Sequence, residues 1–148
     1  MASGVYNRFF RNLALGDIHW DSDNIKCALL GDSYTFAATH AAWSTGDSLS
    51  PKNFEIANGN GYTTGGSSLD NCAVSQDDTA DWAKLDADDE VWSGATINTW
   101  GAVLYDDTLS SDDLICYFDF GAQKSVSTGS LTLQWSTNGL MTIAESTA

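Results

Sequence analysis

The chain has 148 residues, with 20 acidic side chains against six basic ones, a formal net charge of −14 and a pI near 4.1. That length suits one domain, and a composition of 43% apolar and 11% aromatic residues, six Trp included, supplies a packed core and excludes a disordered chain. A surface this acidic repels phosphate backbones and anionic bilayers, so neither nucleic acid nor membrane is an expected partner.

In chain order, SGVYNRFFRNLALG predicts the one helix. Ser3 is placed to cap it and Gly16 to close it, and Val5, Phe9 and Leu13 recur at helical spacing with Tyr6 and Phe10 beside them. Residues 1–16 read as a helical contact segment and residues 17–148 as a single β domain. GDIHWDSD (Gly16–Asp23) follows. Asp17, His19, Asp21 and Asp23 would share a face of an extended chain, but EF-hand spacing is missing, so a solvated connection with Trp20 buried is expected. NIKCALLG (Asn24–Gly31) has the short apolar run of a buried strand. His40, in YTFAATHAAW, is expected to cap or pack, and Pro51 lies in the loop SLSPKNF.

GNGYTTGG (Gly59–Gly66) invites comparison with phosphate cradles. A dinucleotide fingerprint fails at its third Gly, where Thr64 stands, and a P-loop begun at Gly61 has Ser67 in the Lys slot. No convincing helix follows, so a bend with Tyr62 packed inward is expected. Short strands near Cys72–Gln76 and Trp82–Leu85 come next. TINTWGAVLYDD (Thr96–Asp107) is apolar on both faces, as a central strand is. LICYFDFG follows an acidic turn, SLTLQW places Leu131, Leu133 and Trp135 on one face, and Asn138-Gly139 before LMTIA signals a hairpin. The expected fold is mainly β, an antiparallel β-sandwich or flattened barrel with one N-terminal helix.

Chemistry-bearing patterns are sparse. Cys27, Cys72 and Cys116 are odd in number and widely spaced, which points to free, reduced thiols rather than a disulfide framework or a zinc site. The acidic turns LDADDEVW and YDDTLSSDD make Asp86, Asp88, Asp89, Asp106 and Asp107 weak Ca²⁺ candidates, against the commoner role of Asp in closing turns. No G-x-S-x-G, S-x-x-K or H-E-x-x-H nucleophile or metalloprotease motif is present. No stretch has a signal peptide's apolar region or the ~20 apolar residues of a bilayer span. Neither catalysis nor a cofactor is expected. Both ends, Met1 and Ala148, are expected to be held by a partner or neighbouring copy, with a homo-oligomer, dimer or trimer, as the working state.

Taken as an ordered set, YNRFFRNLALGDI, WDSDNIKCALLGDSYTF, THAAW, GNGYTTGGSSL, VWSGATINTWGAVLYDDT, LICYFDFG and LTLQWSTNGLMTI resemble a family of small virion proteins of tailed bacteriophages, over roughly residues 5–144. The loop SLSPKNFEIAN is longer than the link this resemblance implies and is expected to be a local embellishment. The resemblance implies a non-enzymatic capsid decoration (cement) protein, made in the host bacterial cytoplasm and bound to the outer face of the head. Its partners would be the major capsid protein lattice and neighbouring copies of itself. A tail, connector or fibre-base protein is the alternative within the particle. A Ca²⁺-dependent carbohydrate-binding module, built on exposed Trp and the Asp turns, is the alternative outside it. The expected contact residues are Tyr6, Arg8, Phe9, Phe10 and Arg11, because clustered aromatic and Arg side chains are the chemistry of interface hot spots.

Overall fold

The structure, a computed structural model, describes residues 3–146, so the expectation about the ends Met1 and Ala148 lies outside the described residues. These residues form strands β1 (Gly4–Val5), β2 (Ile25–Leu30), β3 (Ser67–Ser68), β4 (Ala73–Asp77), β5 (Trp82–Asp86), β6 (Glu90–Asp106), β7 (Asp113–Leu133) and β8 (Met141–Ala144). Helix α1 (Asn7–Leu15) and a 3₁₀ turn at Pro51–Phe54 complete the set. All pairings are antiparallel, in a five-stranded sheet of order β1-β7-β6-β2-β3 and a three-stranded sheet of order β4-β5-β8. The mainly-β antiparallel architecture with one N-terminal helix is as expected, and because neither sheet closes it is a sandwich, not a barrel.

The dominant element is the β6–β7 ribbon. Residues 101–106 of β6 are all buried, as a two-sided central strand requires. The ribbon is far longer than the sequence segments suggested: LICYFDFG and SLTLQW lie on one strand, β7, which carries on through Gly121 (φ 72°). Register shifts lie between Trp92 and Ala95, Ala95 and Ile97, and Thr99 and Gly101. Bulges of this kind bend a strand and sharpen its twist. The bend is large. Phe118 pairs at Ala102 and Leu133 at Glu90, positions that a straight strand would hold roughly 40 Å apart. Yet the Phe118 and Trp135 ring centroids are 5.4 Å apart, so the ribbon curls back until the chain just past its Leu133 end packs on Phe118.

The two faces of the large sheet are covered differently. Cys27 and Leu29 of β2, Ala102 and Leu104 of β6 and Ile115 of β7 point toward Phe9 of α1, Trp20, Tyr62, Leu85 and Trp92. Ala28, Leu30, Val103, Tyr105 and Tyr117 point the other way, beneath an aromatic layer of Tyr6, Tyr34, Trp43, Phe36 and Phe54. Trp43 stacks flat on Tyr105, with ring centroids 4.9 Å apart. The loop expected to be an embellishment is part of this second cover. Phe54 O accepts from the Gly31 N–H, Ile56 N–H donates to Leu29 O, and Pro51 is buried. Residues 31–56 do for this face what a second sheet does for the other.

Two local expectations are corrected. Ser3 does not cap the helix: Gly4 and Val5 pair with Tyr117 and Cys116, so the chain stays extended until Tyr6, the N-cap residue. Gly16 closes the helix as expected, in the left-handed region at φ 72°, with its N–H on Leu13 O and that of Asp17 on Asn12 O. Asn138-Gly139 does make a tight turn, in which the Gly139 N–H reaches Ser136 O at 2.8 Å. However, β8 pairs with β5 and not with the strand before the turn. Leu140 N–H donating to Leu85 O, at 2.9 Å, starts that pairing, and β8 extends the β4–β5 hairpin.

Candidate functional site

The N-terminal helix separates the expected contact residues into two groups. Tyr6 and Phe9 are fully buried, so they are core residues and present nothing to a partner. The Tyr6 and Tyr34 hydroxyls share a buried hydrogen bond of 2.7 Å, and burial pushes both phenols above their ordinary range, which keeps the pair neutral. The register of α1 is fixed by Asn12, itself buried, whose Nδ2 donates to Asp113 Oδ2 at 2.7 Å. Arg8 lies over the same carboxylate at 3.8 Å and is partly committed to it. The outward face then holds Phe10, Arg11, Ala14 and Leu15, neighbours at one and four residues along the helix. Phe10 is 55% exposed and Leu15 60%. Arg11 stands between them, 3.6 Å from Asp17. Sequence reasoning picked Phe10 and Arg11 and missed Leu15, whose exposure the helical spacing from Arg11 would have shown.

The glycine run is a bend pressed onto the sheet. A Cβ on Gly66, at φ +80°, would sit 2.1 Å from Cys27 O, and one on Gly61, at φ +87°, would sit 2.7 Å from Ala95 Cα. Strand β3, and no helix, follows it. Tyr62 is buried as expected. Its hydroxyl donates to Glu55 Oε1 at 2.7 Å and accepts the Leu29 N–H at 3.1 Å, joining the bend to β2 and to the 31–56 cover. At Gly61 and Gly66 the run is thus a bend packed against β2 and β6.

The five Ca²⁺ candidates are not brought together. Asp86 pairs with Lys84 at 3.1 Å, and Asp88 accepts from Asn71 at 2.6 Å. Asp89 accepts the Trp135 N–H at 2.8 Å, and Asp107 lies 3.6 Å from Lys26 while accepting from Asn24. Their carboxylates close turns and staple loops. Among the described residues no group of three or more His, Cys, Asp or Glu side chains is arranged to hold a metal ion.

Asp106 is the exception in this group. It is fully buried, its Oδ1 accepts the Thr108 N–H at 2.9 Å, and no donor reaches its Oδ2. Pairing of Ile25 with Asp106 brings Asp23 alongside, so that the two carboxyl groups lie close enough to interact. Burial first, then the neighbouring Asp23 carboxyl group, raises Asp106 from 3.8 to about 6. Asp23 in turn accepts the His19 N–H at 2.6 Å, with His19 Nδ1 3.8 Å away. Hydrogen bonds from Asp107 N–H to Asn24 O, and from Asn24 N–H to the Thr108 side-chain Oγ1, clamp the two turns around the pair. The sequence placed Asp23 and Asp106 in different motifs, and only the β2–β6 register unites them.

The remaining reactive groups are shielded. Cys27 and Cys116 are buried on either side of Leu104, both paired to it across β6, so a full strand separates them and no disulfide can form. Burial holds both thiols well above the ordinary range, so they stay protonated. His40 packs beside Tyr34, with its Nδ1 3.0 Å from the Tyr34 hydroxyl, as a packing histidine does. Where the chain past Leu133 meets Phe118, a groove of about 400 Å³ opens, lined by Phe118, Phe120, Leu133 and Leu140 with Ser3, Gln134 and Ser136. No helix among the described residues is long and apolar enough to cross a membrane. No protein-family model, curated protein or solved structure matches this chain.

Proposed function

We propose that the protein is a non-enzymatic structural component of a tailed-phage particle, a decoration protein bound to the outer face of the head through the major capsid protein lattice. The observation that carries the contact is the outward face of α1. Phe10, Ala14 and Leu15 form an apolar strip around Arg11, within a stretch, residues 1–16, that has two Arg and no acid. On a chain of net charge −14 this strip is suited to an apolar partner surface edged with carboxylates. The resemblance of the ordered segments supplies the particle, and the acidic exterior suits a surface turned away from packaged DNA. Binding the assembled shell more tightly than free subunits stabilises the shell by mass action.

Deleting the N-terminal residues would remove β1 and the core side chains Tyr6 and Phe9, so the test uses surface changes. Purified Phe10→Ser/Arg11→Glu protein is expected to melt like the wild type and to co-sediment with particles lacking the protein at least about 10-fold more weakly. Undiminished binding would move the contact elsewhere. Quantifying copies per purified particle locates it: many copies fit the head, and a few at one vertex would favour the tail, connector or fibre base.

A further inference from the structure

We propose that a second copy of this chain pairs antiparallel with the open edge of β7, joining the two five-stranded sheets across a twofold axis. Strand β1 covers that edge only at Cys116 and Tyr117. The next positions are closed by side chains: the Asp119 N–H donates to Ser3 Oγ at 2.9 Å, and the Gly121 N–H to Asp119 Oδ1 at 2.8 Å. From Ala122 to Leu133 no strand of the described residues pairs on that side. An open row of backbone donors and acceptors is a template for another strand. The usual guards are charge and proline, and this stretch has one Lys, Lys124, and neither acid nor proline.

Charge selects the occupant. Two copies at −14 each repel one another over most of their surface. From Phe120 to Ala144, however, the chain has no acidic residue, and Ser125, Ser127, Ser130 and Thr132 expose small hydroxyl side chains along the edge. This is the longest acid-free stretch of the sequence, and it coincides with the open edge. An antiparallel edge is its own complement under a twofold axis, so a second copy meets matching donors and acceptors with no carboxylates brought face to face.

The bulges limit the contact. The extra residue of β7 between Val126 and Gly129, with Thr128 at φ 50°, interrupts the edge, and a further register shift between Gly129 and Leu131 leaves Leu131–Leu133 as its last regularly paired run. In and beside that run, Leu131 and Leu133 are half-buried against the core while Ser130 and Thr132 face outward. A short run used once by a twofold closes as a dimer. A twofold contact uses the same edge of both copies, so it closes on itself whatever the opposite side of the sheet presents.

The test uses the purified full chain without any particle, so its outcome is independent of the proposed contact through α1. Sedimentation of wild-type protein over a concentration series is expected to show a monomer–dimer equilibrium. Amide exchange at Leu131–Leu133 is expected to slow as dimer forms. Ser130→Asp/Thr132→Asp places like charges across the twofold and is expected to raise the dimer dissociation constant at least about 10-fold, with unchanged circular dichroism. A wild-type protein that stays monomeric at millimolar concentration with fast-exchanging edge amides would overturn the proposal. So would a dimer that the double variant leaves intact, or edge protection that appears only when particles are added, which would assign the edge to a different protein.

Discussion

Replacing Asp106 by Asn is expected to stabilise the protein at neutral pH, although it removes a native charge. Asp106 is raised from 3.8 to about 6 by burial and by Asp23, so the folded state binds its proton more tightly than the unfolded chain does. The sign follows by linkage. The stabilisation from that proton is fully present below pH 3.8 and is lost as pH rises through about 6. A shift of this size corresponds to about 2–3 kcal/mol. In the Asn variant Oδ1 still accepts the Thr108 N–H, and the neutral amide faces Asp23 without a second buried charge. Melting of wild type and variant from pH 4 to pH 8 isolates the term, because Glu90 and Asp112, also raised by burial, are common to both. The variant is expected to melt about 4–12 °C higher at pH 8, with the gap closing toward pH 4. A gap that does not change with pH, or a variant less stable at pH 8, would refute a raised, buried Asp106.

Gly66→Ala is expected to destabilise the fold by at least about 2 kcal/mol in urea unfolding, since the new methyl meets Cys27 O in a backbone conformation at φ +80° that disfavours any side chain. Calorimetric titration with Ca²⁺, alone and with host glycans, is expected to give no binding heat, because the carboxylates of Asp86, Asp88, Asp89 and Asp107 are each engaged in separate turns. A Ca²⁺ heat that disappears in Asp106→Asn would instead place a cation between Asp23 and Asp106.

Burial periodicity made the centre of the fold legible. Ile25–Leu30, the two-sided strand ending at Asp106 and the alternation of Leu131, Leu133 and Trp135 are local signals, set by which side chains must leave water. What stayed hidden depended on partners distant in sequence. Gly121 reads as a strand terminator, yet bulged pairing with β6 takes the chain straight through it. Asn138-Gly139 specifies a turn but cannot specify that β5, some fifty residues earlier, captures the strand that follows. Tyr6 and Phe9 look like interface aromatics until the sheet they cover is assembled. The same holds for Asp23 and Asp106: each is an ordinary turn acid alone, and they become a pair only through the β2–β6 register.

The position of the β6–β7 ribbon in the chain has a consequence for how the protein is made. Strands β1 and β2 and the buried face of α1 all dock on β6 or β7, so the N-terminal third lacks its main partners until residues up to Tyr117 have left the ribosome. At ordinary synthesis rates that interval is on the order of several seconds or more. The ribbon itself can zip from its six-residue loop, 107–112, which makes it the natural first structure to form. Folding therefore runs backward relative to synthesis, and the aromatic N-terminal segment waits exposed. That wait is when chaperone binding or misassembly competes with the native fold.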